Sequence, residues 1–217
     1  MTNMEQINQY IEENIELIDA NEWEEFFKDA PSGIGGVLYA ARIDFMSDIK
    51  QIPEDCFRDS SLTNITIPNN VMRIGSCAFL GCSSLESITI PDSVTSIGND
   101  AFEKCSSLKS ITIPKRVTSI GSWVFADCSS LTSIIIPDSV TSIDSSAFKY
   151  CSSLESITIP DSVTSIGFSA FYDCSSLKSI NFGGTKEQWK KIYDSDSFKY
   201  TYFTVHCTDG DIIKRKR

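Results

Sequence analysis

Residues 82–102 have the sequence CSSLESITIPDSVTSIGNDAF, and this stretch returns along the chain with little change. The repeat is marked by cysteines that are each 23 residues apart: Cys82, Cys105, Cys128, Cys151 and Cys174. Five full copies run from residue 68 to residue 182, and a shorter, degenerate copy precedes them. A fixed period of this length indicates a solenoid, in which each copy forms one coil and the coils stack.

The repeat contains two apolar segments and an Ala-Phe pair. The pattern Leu-x-x-Ile-x-Ile predicts a short strand with its isoleucines inward and its serine and threonine outward. Proline ends the strand, Val-x-x-Ile-Gly begins the return path, and Ala-Phe fills the coil on its far side. One coil cannot bury these residues alone, so stacked coils should form a parallel sheet over ladders of leucine, isoleucine, phenylalanine and cysteine. The predicted fold is an α/β repeat solenoid.

The repeat, as it stands from Cys82 to Phe102, resembles the BspA-like leucine-rich repeat family. The likeness covers residues 49–182. It extends into the tail, where two segments are similar to the closing segment of many bacterial members: Gly184-Thr185-x-x-Gln188-Trp189-x-x-Ile192 and Val205-x-Cys207-Thr208-Asp209-Gly210. The resemblance implies a leucine-rich repeat protein that binds other proteins or host-surface components, often from outside the cell.

Residues 1–45 are predicted to form an acidic, helical amino-terminal cap. Residues 1–30 hold nine acids and one lysine, a net charge of −8. Thr2 and Glu5 have the spacing of a capping box, and apolar residues follow at helical spacing: Met4, Ile7, Ile11, Ile15 and Ile18. Asn21 and Glu24 are spaced to start a second short helix that carries Trp23, Phe26 and Phe27.

The acids of this cap have two interpretations. They form a solvated outer face, or they form an acidic face that imitates nucleic-acid phosphates and occupies a basic groove on a partner. The candidate partner-binding residues of the second interpretation are Glu12, Glu13, Glu16 and Glu24.

Residues 46–182 form the predicted repeat domain, and residues 183–217 a carboxy-terminal α+β cap with a basic tail. Thr185 and Gln188 fit a second capping box, with Trp189 and Ile192 placed to close the last coil. Residues 202–207 read as a strand that leads into an Asp-Gly turn. Lys214 to Arg217 read as a solvated end.

The sequence predicts no enzyme, no catalytic residues, no cofactor and no metal site. The single histidine, His206, lies outside any catalytic motif, and G-x-S-x-G is absent. The repeated cysteines follow the period of the fold, which predicts free, buried thiols, and no C-x-x-C pair offers zinc ligands. Residues 32–36 (SGIGG) lack the Gly-Lys-Ser/Thr ending of a phosphate loop, so a turn or helix start is expected.

The charge and hydropathy of the chain argue against nucleic-acid and membrane partners. The net charge of −10 opposes contact with phosphates, so no direct nucleic-acid binding is expected. No run approaches the roughly 20 apolar residues that cross a bilayer, so no membrane partner is predicted. Residues 1–6 lack the basic start of a secretory signal. The expected location is the cytoplasm, or outside the cell if another route exports the protein.

The expected partner is a protein, and two faces of the solenoid could bind it. The outward strand positions are mostly serine and threonine, with Glu86–Lys109 and Glu155–Lys178 expected to pair across strands. Between the glycine and the cysteine of the repeat, small or polar residues give way to four aromatic residues: Trp123, Tyr150, Phe168 and Tyr172. They form a partner-binding patch on the convex or lateral face, or they pack sideways on adjacent coils.

Three functions are therefore predicted from the sequence. The leading one is a non-enzymatic protein-binding module that presents a repeat surface to a macromolecule. The first alternative is an intracellular inhibitor, of phage or mobile-element origin, that blocks a nucleic-acid-binding enzyme through its acidic surface. The second alternative is a surface adhesin. The oligomeric state does not follow from the sequence.

Overall fold

The structure is a computed structural model and describes residues 3–14, 30–40, 49–199 and 201–213. Six coils are stacked, from a first coil at residues 49–67 to a sixth at residues 160–182. Each coil has three sides, which we call the strand side, the return side and the turn side. The strand side holds the Leu-x-x-Ile-x-Ile segments, the return side the Val-x-x-Ile segments, and the turn side the Ala-Phe segments.

The strands are short and mostly parallel. Those of the strand side are β2 (Asn64–Thr66), β4 (Ser87–Thr89), β7 (Ser133–Ile135), β9 (Ser156–Ile159) and β11 (Ser179–Phe182). Those of the return side are β1 (Gln51–Ile52), β3 (Arg73–Ile74), β5 (Ser96–Ile97), β6 (Ser119–Ile120), β8 (Ser142–Ile143) and β10 (Ser165–Ile166). The register places equivalent residues opposite each other, such as Ile157 and Ile180. The predicted alternation is confirmed, because the isoleucines are buried and the outward residues are mostly exposed.

Stacked phenylalanine rings fill the turn side of the solenoid. Neighbouring ring centroids lie 4.8 to 5.7 Å apart, and every ring of the ladder is fully buried: Phe57, Phe79, Phe102, Phe125, Phe148, Phe171 and Phe198. Backbone hydrogen bonds join each coil to the next on this side, for example from Phe125 N–H to the Ala147 carbonyl at 2.8 Å. Burial of each such ring stabilises the fold by about 1.5–3 kcal/mol.

The third coil interrupts the otherwise regular stack. Within the described residues, Ser110–Ile113 forms no strand, and no backbone hydrogen bond joins this segment to β4 or β7. On the return side the ladder also breaks between β5 and β6. The turn side stays paired, since Phe102 N–H donates to the Val124 carbonyl at 2.9 Å. The coils therefore separate slightly on two sides and remain joined on the third.

A substitution in the repeat contributes to this separation. In three other coils a serine hydroxyl donates to a valine carbonyl of the preceding coil: Ser93 to Val71, Ser139 to Val117 and Ser162 to Val140, at 2.6 to 2.8 Å. Arg116 occupies the same position in the fourth coil and has no such hydroxyl. A hydrogen bond between the third and fourth coils is thereby missing, at the junction where the return ladder breaks.

Two helices in the described part of the amino-terminal segment contribute to the hydrophobic core. Helix α1 spans Asn3–Asn14, and helix α2 spans Ile34–Ala40. Ile7 of α1 and Ile34 and Leu38 of α2 are buried in the same core as the coils. The described helices of the predicted cap therefore share one core with the coils. The predicted helix at residues 21–24, with Trp23, lies outside the described residues.

The glycine-rich run at residues 32–36 has a steric role. The N–H of Gly35 donates to the Cys56 carbonyl at 2.7 Å, and a Cβ on Gly35 would collide with the Cys56 side chain. Gly33 N–H donates to the Asp55 carbonyl at 2.9 Å. The run thus begins α2, as predicted, and lets its backbone approach the first coil closely.

The carboxy-terminal cap closes the other end. Helix α3 (Lys186–Ile192) has the predicted capping box between Thr185 and Gln188, and Trp189 is buried. A short 3-10 helix (Ser195–Phe198) brings Phe198 under the phenylalanine ladder as its seventh ring. Strand β12 (Thr204–Cys207) pairs in parallel with β11, and β13 (Gly210–Ile213) pairs antiparallel with β12. The cap thus supplies a seventh turn without the repeat sequence.

Candidate functional site

Three of the four predicted aromatic residues meet around one lysine on the turn side. The Lys149 Nζ lies 4.8 Å from the centre of the Trp123 ring, 5.0 Å from that of Tyr150 and 5.4 Å from that of Tyr172. Each distance is within the range of a cation–π interaction. We call these four residues the Lys149 cluster. It spans the fourth, fifth and sixth coils.

The rings of the cluster also contact one another. Tyr150 and Tyr172 pack edge to face, with centroids 5.7 Å apart. Their backbones are joined as well, because Tyr150 N–H donates to the Tyr172 carbonyl at 2.9 Å. Trp123 and Tyr172 are half-buried, whereas Tyr150 is 38% exposed. The predicted sideways packing on adjacent coils is therefore present, and the cluster is still open to solvent, while the partner-binding patch stays a prediction.

Two residues of the cluster hold an unfavourable backbone conformation. Trp123 has φ of 59° and Tyr150 has φ of 61°, both in the left-handed region. The equivalents of Trp123 in the third, fifth and sixth coils are Asp100, Ser146 and Ser169. The residues at the position of Tyr150 in the other coils are Asp59, Gly81, Lys104, Asp127 and Asp173. Small or polar residues tolerate this region better than bulky ones. Trp123 and Tyr150 therefore occupy positions whose left-handed backbone conformation disfavours bulky aromatic residues.

Phe168 stays apart from the cluster. Its side chain is 64% exposed, and its ring is not among those around Lys149. Its carbonyl accepts a hydrogen bond from Ser146 N–H at 3.0 Å, which is part of the regular stacking of the turn side. The structure thus brings Trp123, Tyr150 and Tyr172 together and leaves Phe168 as a separate exposed ring.

Carboxylates adjoin the cluster on the side of the preceding coils. Burial raises the pKa of Asp127, and the nearby charge of Glu103 raises it further, while the Lys149 and Lys104 charges oppose the rise. Burial also raises the pKa of Asp100, with a hydrogen bond to Glu103 as the next cause. Glu103 itself pairs with Lys104 at 3.0 Å. The cluster therefore sits at the border of a negatively charged strip.

The four predicted acidic residues of the amino-terminal cap are only partly described. Glu13 is exposed, and its Oε1 accepts a hydrogen bond from the Gln9 amide at 2.8 Å. The Glu12 side chain, Glu16 and Glu24 lie outside the described residues. The acidic face that would imitate phosphates stays a prediction.

The repeated thiols are buried, as predicted. Each sulfur donates a hydrogen bond to the phenylalanine carbonyl of the preceding coil, for example Cys82 to Phe57 at 2.9 Å and Cys151 to Phe125 at 3.0 Å. Burial raises the pKa of Cys82 and of Cys174 to about 12. These thiols are therefore neutral at physiological pH, and a neutral thiol is a poor nucleophile and metal ligand.

The histidine of the chain forms a contact at the surface. His206 Nδ1 lies 3.0 Å from Asp211 Oδ1 across the β12–β13 hairpin, and both side chains are about half exposed. In the described part of the chain, no group of three or more histidine, cysteine, aspartate or glutamate residues could hold a metal ion. None of the described helices combines the length and apolar character needed to cross a bilayer.

The predicted ion pairs of the strand side are present. Lys109 Nζ lies 2.6 Å from Glu86 Oε2, and Lys178 Nζ lies 3.2 Å from Glu155 Oε2. The hydrogen bond from Lys109 lowers the pKa of Glu86. Because all four side chains are well exposed, these pairs add little to stability. A groove also lies on this side and was not predicted from the sequence. Its signal in the sequence is Ile135, an apolar residue in an outward strand position.

Comparison with known protein families identifies the repeat. The family model described as "BspA type Leucine rich repeat region" matches residues 73–204 with six copies, which is more than half of the chain. Leucine-rich repeat proteins of this type are non-enzymatic repeat proteins that generally mediate protein interactions. No curated protein matches the chain.

Solved structures of bacterial leucine-rich repeat proteins share the fold. A leucine rich cell surface protein from Faecalibacterium prausnitzii is 44% identical, with a TM-score of 0.60 over 63% of this chain and 37% of that one. A leucine-rich repeat protein from Bacteroides ovatus is 35% identical, with a TM-score of 0.51 over 54% of this chain and 39% of that one.

A T. pallidum leucine rich repeat protein is 32% identical, with a TM-score of 0.57 over 62% of this chain and 65% of that one. The chain therefore spans less than two thirds of the length of these three structures, and under two fifths of the first two.

Proposed function

Because the chain belongs to the BspA-type leucine-rich repeat family, we propose that it is a protein-binding module that presents the Lys149 cluster to a protein partner. The observation that carries the proposal is the placement of Trp123 and Tyr150 at left-handed backbone positions. A bulky residue in this region costs about 1–2 kcal/mol. The left-handed conformation recurs at the equivalent residues of the other coils, so the fold requires the conformation but not an aromatic side chain there. Strain of this kind is concentrated at functional sites.

The composition of the cluster suits a binding surface. Tryptophan and tyrosine supply much of the binding energy of protein interfaces when they form a patch. The edge-to-face contact of Tyr150 with Tyr172 and the ammonium of Lys149 hold the rings in one arrangement before a partner arrives. A surface ordered in advance loses less conformational entropy on binding. We infer no enzymatic activity for this site.

A capture experiment tests the proposal. The tagged full chain is cross-linked in extracts of its native organism and of that organism's host, and bound proteins are identified. The test variant combines Trp123→Ser with Tyr150→Asp, which restores residues that the repeat carries at these positions in other coils. Both substitutions favour the local backbone, so this variant should fold.

Two further variants serve as controls. Phe168→Ser removes the exposed ring outside the cluster, and Thr89→Ala alters the strand side. The proposal expects a protein that the wild type and both controls retain and that the cluster variant loses. Retention of every captured protein by the cluster variant would refute the role of the cluster.

A second candidate function is surface adhesion. It is supported by the 44% identical solved structure, which is described as a cell surface protein. The test is labelling of intact native cells with an amine reagent that does not cross membranes. Labelling of this protein, with a cytoplasmic marker left unlabelled, is the expected result for an adhesin. An unlabelled protein in intact cells that becomes labelled after lysis would contradict it.

A further inference from the structure

A groove of about 670 Å³ runs along the strand side of the solenoid. It lies at the corner where the strands end and the proline turns begin, and it crosses from the third coil to the sixth. Its floor is formed by buried isoleucines of the strand side, including Ile113, Ile136 and Ile159. The Lys149 cluster lies on the turn side, so the groove is a different surface.

Two departures from the repeat line this groove, and a third is adjacent to it in the chain. Ile135 is 70% exposed and lines it, whereas the equivalent outward residues of the other coils are polar: Thr66, Thr89, Thr112, Thr158 and Asn181. Lys115 also lines it, and Arg116 follows. In other coils these two positions carry Asn-Asn or Asp-Ser. The repeat is thus altered by one exposed apolar residue and two bases within one coil.

The two bases are unpaired within the part of the chain that the structure describes. Lys115 and Arg116 are exposed, and neither forms an ion pair with any described residue. Asp92 and Asp138, from the coils on either side, also line the groove. The charges along its edge therefore run acid, base, acid. This order complements a ligand with a single central carboxylate, because a polyanion would meet the two aspartates.

The backbone of the groove is also unusual. Ser110–Ile113 lines the groove and is the segment whose peptide groups make no backbone hydrogen bond to either neighbouring coil within the described residues. The segment lies between the second and fourth coils, so its peptide groups face those coils and the missing bonds leave a gap in the sheet beneath the groove. Side chains of an extended chain alternate at about 3.3 Å per residue, which suits a row of apolar contacts.

We propose that this groove binds an extended peptide segment of a partner protein, with apolar side chains against Ile135 and the groove floor and one acidic side chain at Lys115 and Arg116. This site goes beyond the Lys149 cluster, and either surface can bind without the other.

The test measures binding of a synthetic peptide to the full chain by fluorescence anisotropy. The probe is a fluorescein-labelled seven-residue peptide of alternating valine and serine with a central glutamate. Two comparison peptides replace the glutamate with lysine or all valines with serine. The wild type should bind the probe at least about tenfold more tightly than either comparison peptide.

Variants that restore the repeat locate the site. Ile135→Thr, and the pair Lys115→Asp with Arg116→Ser, should each weaken binding of the probe about tenfold. These residues occur at the same positions in other coils, so the variants should fold, which circular dichroism verifies. Lys190→Asp makes the same change of charge as Lys115→Asp on the exposed face of α3 and should leave binding unchanged.

Several results would overturn the proposal. Binding that is equal for all three peptides, or that persists in both groove variants, would show that the groove does not select this segment. No binding of the probe at millimolar concentration would have the same meaning. If sedimentation shows a dimer of the wild type that Ile135→Thr dissociates, the groove is instead a contact between two copies. None of these results bears on the Lys149 cluster, which Trp123→Ser with Tyr150→Asp tests separately.

Discussion

The Lys149 Nζ lies 4.8 Å from the centre of the Trp123 ring, and the two residues belong to neighbouring coils. Tyr172, from the coil on the other side, completes the contact. The ammonium therefore joins three coils on the turn side, in addition to the backbone hydrogen bonds there. Several properties of the protein should depend on this contact and on the other departures from the repeat.

Replacement of Lys149 by methionine should lower the free energy of unfolding by about 1 kcal/mol, because the aliphatic stem stays while the cation–π interactions are lost. Urea denaturation followed by circular dichroism measures the change. Lys190→Met, on the exposed face of α3, is the control and should have no measurable effect. An equal loss in the two variants would show that the rings do not stabilise the Lys149 ammonium.

Tyr150→Asn should leave the free energy of unfolding unchanged or raise it slightly. Asparagine tolerates the left-handed φ of 61° better than tyrosine, and the relief of about 1 kcal/mol offsets the lost ring contacts. Tyr172→Asn is the matched control, because Tyr172 loses similar contacts but has no left-handed backbone to relieve. Thermal unfolding compares the two. A larger loss for Tyr150→Asn than for Tyr172→Asn would refute the assignment of strain.

Arg116→Ser should stabilise the protein by about 0.5–1.5 kcal/mol, since it restores the hydroxyl that in three other coils donates to a valine carbonyl of the preceding coil. The reverse change, Ser139→Arg, should destabilise it by a similar amount. Both are measured by urea denaturation. If Arg116→Ser is neutral while Ser139→Arg is costly, the break between the third and fourth coils has another cause.

Stability should decrease at alkaline pH. Burial raises the pKa of Cys82 and of Cys174 to about 12 in the folded state, while an unfolded thiol has a pKa near 8.5. Above roughly pH 8.5 the unfolded chain releases protons that the folded chain retains, so the free energy of unfolding falls until about pH 12. At pH 10 each thiol contributes a loss of about 2 kcal/mol.

The measurement is the midpoint of urea denaturation between pH 7 and pH 11 under reducing conditions. The variant Cys82→Ala with Cys174→Ala should be less stable at pH 7 but should show a shallower decline with pH. An identical decline in the variant and the wild type would show that other groups cause the alkaline loss.

Gly35→Ala should weaken the docking of α2 on the first coil, because the added Cβ would collide with the Cys56 side chain. Limited proteolysis should then cut the amino-terminal segment faster, with little change in the midpoint of unfolding of the coils. Val37→Ala, at a half-buried position of the same helix, is the control for a simple loss of apolar contact. Equal rates of cleavage in the wild type and Gly35→Ala would contradict the steric role.

Much of the architecture was predictable from residue spacing. The alternation in each copy indicated which isoleucines face inward, and the spacing of Glu86 and Lys109 indicated an ion pair across neighbouring strands. The capping box at Thr185 and Gln188 was also predictable, since it depends on residues three apart. The role of Phe198 as the seventh ring was not, because it lies 27 residues after Phe171 and outside the repeat.

The sequence by itself determined the solenoid, because apolar residues with a 23-residue period can be buried only if successive coils stack in register. Only the tertiary structure decided which departures from that period act together. Lys149 is 26 residues from Trp123 and 23 from Tyr172, and their contact depends on how three successive coils stack on the turn side. The loss of backbone hydrogen bonds at Ser110–Ile113 could not be predicted from the sequence either. Such bonds depend on small displacements between coils, which no single residue specifies.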